Sequence, residues 1–179
     1  VDFSSLSYAQ IPTSDNATWN AVTANWSANG YRLPTEMEWL WAAMGADMEN
    51  PGATNVTGYM KLFAGSTGSN RIGYYAVFGY GSGNEGSTTA ERSNPVGSKL
   101  PNELFFYDLT GNVWEWVWDR DGPYPVGLLT DYRGTFSGTQ RMLPSCSWRT
   151  SAAYCVLANR NANFPHQTDT NVGLRVVRR

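Results

Sequence analysis

Charged residues are scarce in this sequence: they make up 16% of its 179 residues, and the formal net charge is −2. Lysine and arginine form no cluster apart from Arg175, Arg178 and Arg179 at the end of the chain. Because proteins that bind a phosphate backbone need a basic patch, no nucleic-acid binding is predicted. No apolar run approaches the roughly 20 residues that cross a bilayer, so no membrane-spanning segment is predicted either. The 41% of hydrophobic residues is enough for the core of one globular domain.

Cysteine and histidine are almost absent, with Cys146, Cys155 and His166 as their sole representatives. Two cysteines are too few for a disulfide framework, and they either pair with each other or leave a free buried thiol. A Ser-His-Asp triad would have to use His166, which lies in a polar segment. The sequence has no nucleophile elbow and no zinc-ligand spacing. Few routes to catalysis remain, and a lone loop histidine is usually a surface residue.

Aromatic and turn-forming residues are abundant by contrast, with 8 Trp, 10 Tyr, 7 Phe, 18 Gly and 9 Pro. This composition favours short strands and long loops around rigid aromatic anchors. In the polar first segment, Trp19 and Trp26 are the predicted anchors. Runs of β-forming residues predict strands at 71–78, 112–118, 141–143, 154–158 and 173–178.

One helix is predicted between Leu33 and Gly45. Thr35 and Glu38 have the spacing of a capping box, in which each side chain bonds the other's free backbone N–H. A set of four apolar side chains falls on one face at helical spacing, namely Met37, Leu40, Trp41 and Met44. Gly45 is a natural residue for the turn that ends the helix.

Four segments, in this order and spacing, resemble the formylglycine-generating-enzyme family. They are GYRLPTEMEW at 30–39, YDLTGNVWEW at 107–116, SCSW at 145–148 and VGLR at 172–175. The last two are altered forms of the family's GGSW and GFR. The resemblance implies an α+β, C-type lectin-like fold with short antiparallel strands, few helices and long irregular loops. It implies a domain at 30–179, with 1–29 as a remnant or N-terminal extension of the module.

Glu115 lies between Trp114 and Trp116, which share one face of a predicted strand. A carboxylate in such a place is hydrogen-bonded, paired with an arginine or bound to a metal. The family resemblance implies a structural calcium ion held by the carboxylates of Asp108 and Glu115 and the carbonyls of Gly111 and Val113. Carboxylates and carbonyls are the ligands that calcium prefers. The alternative is that Asp108 and Asn112 cap a turn and Glu115 pairs with an arginine.

The catalytic cysteine pair of the family is incomplete in this chain. Alignment on Ser147 and Trp148 places the two enzyme cysteines at Thr150 and Cys155. Thr150 supplies no thiolate, binds no soft copper ion and forms no mixed disulfide. The sequence therefore predicts a binding protein that is not an enzyme. The alternative is an oxidoreductase of the formylglycine-generating type acting on a substrate cysteine.

The segment 149–171, called the variable segment below, has an unusual composition. It contains no Lys, Glu, Met or Trp and one Gln, Gln167. Asparagine codons whose adenines are randomised encode a set without any of these five residue types. The segment therefore resembles the variable proteins of diversity-generating retroelements, where an Asn-rich template follows Gly-Ser-Trp and is mutated at adenines. Ordinary asparagine enrichment in a surface loop is the alternative.

By that resemblance, residues such as Asn159, Asn163 and Asn171 mark the template, and eleven positions are candidate diversified, ligand-binding residues. These are Arg149, Thr150, Ser151, Ala153, Tyr154, Ala162, Phe164, His166, Thr168, Asp169 and Thr170. The resemblance implies a macromolecular ligand, with protein favoured, and display at a bacterial cell surface or outside the cell. A plain carbohydrate-binding lectin ranks last, because Glu-Pro-Asn and similar sugar-calcium motifs are absent.

Overall fold

The computed structural model describes residues 5–47, 49–50, 53, 55, 57–135 and 137–178. Its helices and strands are short and separated by long loops. In chain order they are α1 Ala17–Asn20, β1 Tyr31–Arg32, α2 Glu36–Met44, β2 Trp114–Trp116, β3 Arg141–Pro144, β4 Arg160–Asn163, β5 Val172–Leu174 and β6 Val177–Arg178. Four 3-10 turns complete the set, at Tyr8–Gln10, Gly58–Met60, Ile72–Tyr74 and Ala152–Tyr154.

The strands form three two-stranded pairs. β1 pairs with β6 and β3 with β4, both antiparallel, whereas β2 and β5 run parallel. The parallel pair departs from the expectation of antiparallel strands. Backbone bonds join the segment directly after β2 to β3, because Val117 N–H donates to the Met142 carbonyl (3.2 Å). Met142 N–H in turn donates to the Asp119 carbonyl (2.9 Å).

Helix α2 confirms the predicted ends. Thr35 accepts from Glu38 N–H, Glu38 accepts from Thr35 N–H, and Gly45 has a φ of 75°, in the left-handed region that favours glycine. The predicted apolar stripe packs inward only in part, since Leu40 and Met44 contact the core. Trp39 and Ala43 are buried, whereas Trp41 is 51% exposed. Helical spacing alone does not determine which of two apolar stripes packs inward.

The strand predictions are partly confirmed. The 141–143 strand is present, the 112–118 strand is confined to Trp114–Trp116, and 173–178 divides into β5 and β6. Two predictions were wrong. Residues 71–78 contain the 3-10 turn Ile72–Tyr74, and 154–158 overlaps the turn Ala152–Tyr154 and contains no strand. In the apolar run at 154–158, Cys155 and Leu157 are buried in the core although the backbone forms no strand.

The core has two clusters of buried side chains that meet at β3. Met142 belongs to the first, with Trp39, Ala43, Ala64, Leu109, Val117 and Leu157. Leu143 belongs to the second, with Ala76, Phe78, Trp114, Cys146 and Cys155. Adjacent residues of a strand point to opposite faces, so β3 contributes to both clusters. Within the described residues, no helix combines the length and apolar character needed to cross a membrane.

Candidate recognition surface

The variable segment begins directly after a buried scaffold residue, Trp148. Its backbone N–H donates to the Asn112 carbonyl (2.9 Å) and its carbonyl accepts from Tyr80 N–H (2.8 Å). The Tyr80 ring meets the indole edge-on, with 5.7 Å between centroids. Gly79 N–H reaches the carbonyl of Thr150 (2.8 Å). The loop at 79–80 therefore fixes the start of the segment through three contacts, and Asn112 adds a fourth.

A disulfide bond holds the middle of the variable segment. Cys146 and Cys155 are paired, with a Cα–Cα distance of 5.1 Å, and both are fully buried. This settles the alternative that the sequence left open between a bond and a free thiol. Asn159 adds a second clamp, since its side-chain amide donates to the carbonyls of Ser145 (3.1 Å) and Tyr154 (2.6 Å). The turn at 152–154 is thus anchored at both ends.

A buried charged cluster beneath β4 anchors the next part of the segment. Arg160 donates from Nε to Oε1 of Glu36 (2.5 Å) and from Nη2 to Oε2 (2.7 Å). Tyr124 donates to the same carboxylate (3.1 Å), and its ring lies under the guanidinium at 4.0 Å. The hydrogen bond to Glu36 raises the pKa of Arg160, and burial raises the pKa of Tyr124 to about 12.

Asp119 completes this cluster. One of its oxygens accepts from Glu36 N–H (2.6 Å), at the start of α2, and the other is buried with no partner among the described residues. Burial and the nearby Glu36 charge raise the pKa of Asp119 to about 6. Sequence reasoning missed this cluster because Glu36 and Arg160 are far apart along the chain. The available signal was Asp119 itself, a carboxylate directly after the Trp-rich strand.

The end of the variable segment is tied back to its beginning. Asn171 donates to Ser147 Oγ (3.4 Å), and the Trp148 indole N–H donates to the Thr170 carbonyl (3.5 Å). The Asn171 carbonyl also accepts from Trp114 N–H (2.8 Å) in β2. The loop that ends at residue 171 therefore lies beside the turn that follows Trp148.

None of the eleven predicted ligand-binding positions is buried. Seven are exposed, namely Arg149, Ala153, Tyr154, Phe164, Thr168, Asp169 and Thr170, and four are partly exposed, namely Thr150, Ser151, Ala162 and His166. Tyr154 is 65% exposed, whereas Cys155 beside it is fully buried. The two buried residues of the variable segment, Cys155 and Leu157, are thus not among the predicted positions, although Ala158, Asn161, Pro165 and Gln167, which were not predicted, are exposed as well.

The structure brings some of the predicted positions together. Phe164 and His166 stack with 5.7 Å between ring centroids. The Arg149 guanidinium lies over the Trp148 ring at 5.1 Å. Since the same indole reaches the Thr170 carbonyl, Arg149 lies near the 168–170 loop.

Two predicted positions are engaged by the scaffold. Thr150 Oγ1 accepts from Ser147 N–H (3.1 Å), so this hydroxyl stabilises the turn. Ala162 lies opposite Met142 in the β3–β4 pair and packs against the first core cluster. Substitution at these two positions would affect the scaffold as well as the surface.

The predicted calcium ligands lie close together but are occupied by other groups. Asp108, Val113 and Glu115 line one cavity of about 430 Å³. Arg175 donates to both oxygens of Glu115 (2.6 and 2.7 Å). Trp39 also donates to one of these oxygens (2.6 Å).

Asp108, the second predicted carboxylate ligand, has protein partners too. Asp108 accepts from Gly97 N–H (2.7 Å), and its carbonyl accepts from Arg175 (3.3 Å). Gly111 has a φ of 80°, and a Cβ there would lie 2.3 Å from the Val77 carbonyl, so close approach of backbone requires glycine. In this arrangement the guanidinium supplies the positive charge and the residues do not fit calcium. Calcium binding stays a prediction.

Comparisons with known proteins agree with the motifs. The family model described as the sulfatase-modifying factor enzyme 1-like domain matches residues 7–179. The chaperone protein LppX of Paenibacillus barcinonensis is 30% identical over 180 residues, covering 92% of this chain and 54% of that protein. The formylglycine-generating enzyme of Thermomonospora curvata is 30% identical over 174 residues, covering 89% and 53%. This chain therefore spans about half the length of these relatives.

A solved structure, Treponema denticola variable protein 1, superposes with a TM-score of 0.82 at 34% identity, covering 98% of this chain and 57% of that one. The predicted fold class and the predicted resemblance to variable proteins are both confirmed by this match. The family match begins at residue 7 and so extends into 1–29. The division of the chain at residue 30 stays a prediction.

Proposed function

Because the chain belongs to the family of sulfatase-modifying factor enzyme 1-like domains, we propose that it uses the family's C-type lectin-like scaffold to recognise a ligand through the variable segment. The observation behind this is the separation by burial. The eleven positions predicted to be diversified are exposed or partly exposed, whereas the two buried residues of the variable segment, Cys155 and Leu157, are not among them.

Such a separation is what a diversified surface needs. Loops tolerate wide substitution only when a rigid scaffold holds them and does not depend on their side chains. Here the disulfide bond, Asn159 and the Arg160–Glu36 pair position the backbone from below. Asn159 is among the predicted template remnants, and its side chain holds the scaffold.

The chemistry of the exposed side chains suits a protein ligand. Tyr154 and Phe164 are rigid, exposed aromatic side chains, a kind that buries much area at low entropic cost. Thr168 and Thr170 of the same segment are exposed, adaptable hydrogen-bonding groups. Antibody paratopes combine the same two kinds of residue. The likeness to a variable protein supports this proposal. Display at a bacterial cell surface or outside the cell is part of the proposal and rests on that resemblance.

The DNA around the coding region tests diversification directly. We expect a reverse-transcriptase gene and a near-identical template whose differences from the variable segment all lie at adenines. A locus without either would show that the composition of the segment arose in another way, and the diversified surface would be abandoned.

A formylglycine-generating oxidoreductase is the second candidate, since enzymes of that name are among the relatives. In this chain Thr150 stands at the first cysteine position, and the second, Cys155, is buried in a disulfide bond with Cys146. We expect no turnover when the copper-loaded protein is mixed with a cysteine-containing sulfatase peptide. Conversion of that cysteine to formylglycine would overturn the binding assignment.

A further inference from the structure

Two arginines on neighbouring backbone segments face the same side without an acidic partner. Arg120 and Arg141 are directly opposite each other in an antiparallel bridge, and Thr135 is opposite Arg120 on its other side. Residues opposite each other in such a bridge point to the same face with their Cβ atoms about 5 Å apart, and like charges there are destabilising. Across the described chain, neither arginine forms an ion pair.

Both guanidinium groups are held in place by neutral groups. Arg120 donates to the carbonyls of Gly138 (2.7 Å) and Asn20 (2.6 Å). Arg141 donates to the Trp118 carbonyl and stacks on the Trp118 ring at 4.7 Å. Burial and the positive charge of Arg120 lower the pKa of Arg141. The nearby Asp119 charge opposes this lowering of the Arg141 pKa. The fold thus positions two cations together, and among the described residues no carboxylate forms an ion pair with either of them.

These arginines line a cavity of about 330 Å³, called the arginine cavity here. Arg133, which is paired with Asp131, and the hydroxyl residues Thr23 and Thr135 also line it. Guanidinium groups match the geometry of carboxylates and other oxyanions, and hydroxyls can complete such a site. The lining therefore favours an anion.

A second cavity of about 260 Å³ adjoins the first, since Val22, Trp118 and Arg141 line both. We call it the tryptophan cavity, because Trp19, Trp116 and Trp118 form much of its lining, with Leu33, Val117, Pro165 and Leu174 among the rest. Pro165 lies between Phe164 and His166, two of the predicted ligand-binding positions. The tryptophan cavity therefore continues the proposed recognition surface into the scaffold.

We propose that the two cavities form one scaffold subsite for a polypeptide ligand, in which a large apolar side chain enters the tryptophan cavity and an adjacent carboxylate binds Arg120 and Arg141. The subsite rests on the proposed function in taking the ligand to be a protein. A sugar fits the tryptophan cavity less well, because its hydroxyls would lose water and find few polar partners among these residues.

The probe is the blocked dipeptide N-acetyl-aspartyl-phenylalanine amide, titrated into the full chain by NMR. We expect saturable shifts of the Arg120 and Arg141 side-chain N–H signals and about tenfold weaker binding of the asparaginyl analogue, since a charge-assisted bond is lost. Arg141→Gln should weaken binding of the aspartyl peptide about tenfold and reduce the difference between the two peptides, with Arg120 left as the one guanidinium of the pair. Arg71→Gln, at an exposed arginine paired with Glu85, is the matched control and should change nothing.

Equal binding of the aspartyl and asparaginyl peptides would overturn the proposal, as would unchanged binding by Arg141→Gln. Binding of methyl glucuronide without binding of either dipeptide would overturn the polypeptide assignment. If Arg141→Gln does not fold, the N–H shifts of the unaltered protein decide the question. Failure here leaves the proposed function standing, because its own test is the template locus and involves neither Arg120 nor Arg141.

Discussion

At the residue scale, Asp119 is a carboxylate whose ionisation the fold shifts to higher pH. Burial and the adjacent Glu36 charge raise its pKa to about 6. An unfolded aspartate titrates near pH 4, so between about pH 4 and 6 the folded state retains a proton that the unfolded state has released. The stabilisation from this proton is therefore complete below about pH 4 and is lost as the pH rises through 6.

Asp119→Asn tests this linkage. The amide oxygen can still accept from Glu36 N–H, but the charge is gone. We expect the difference in free energy of unfolding, variant minus parent, to rise by about 2–3 kcal/mol between pH 4 and pH 7. The reason is that only the parent loses stability as Asp119 ionises. Urea unfolding of both proteins across that range measures the difference. A difference that stays constant with pH would contradict the raised pKa.

At the element scale, the Cys146–Cys155 bond closes a short loop, with a sequence separation of 9 residues, directly under the exposed turn at 152–154. Replacing both cysteines by alanine should lower the free energy of unfolding by about 2–4 kcal/mol, mainly because the unfolded chain gains freedom. Thermal unfolding with and without reductant measures this effect. Reductant should destabilise the parent and leave the double variant unchanged. A parent whose unfolding is insensitive to reductant, and as stable as the double variant, would contradict the bond.

In strand β2, the pairing of Glu115 with Arg175 predicts that calcium does not bind. Arg175 already donates to both oxygens of Glu115, and a calcium ion would have to displace or repel that guanidinium. We therefore expect a calcium-specific chelator to leave the melting temperature unchanged. A clear fall on chelation, reversed by added calcium, would show instead that the family's calcium site survives in this chain.

At the scale of the whole molecule, the scaffold should fold regardless of the chemistry of its exposed variable positions. Arg149, Tyr154, Thr168 and Asp169 are all exposed. Changing all four to alanine should cost less than about 2 kcal/mol, because exposed substitutions usually stay within about 0.5 kcal/mol each.

The matched control for this quadruple variant is Leu157→Ala alone, at a buried position of the same segment. It should cost about 2–5 kcal/mol, since it leaves a cavity in the core. Thermal and urea unfolding compare the two variants. If the quadruple variant is as unstable as Leu157→Ala, the exposed side chains belong to the fold and the surface is not free to diversify.

Local sequence by itself determined α2, and the variable segment is predicted from local composition alone. The capping box and Gly45 act within one or two turns of chain, so their hydrogen bonds follow from the residue types at fixed spacing. The composition of 149–171 likewise depends on no distant residue. For the same reason the sequence identified the eleven candidate positions, and all of them lie at least partly on the surface.

The tertiary structure decided everything that depends on which distant residues meet. Tertiary packing paired Arg160 with Glu36 and buried Trp39 and Ala43 of α2. It also placed β4 at Arg160–Asn163, after the buried Cys155 and Leu157. Tertiary packing also paired Glu115 with Arg175, whereas the residue types alone were compatible with either an arginine partner or a metal ion. Periodicity reports which side chains share a face, but long-range packing and charge pairing select the face and the partner.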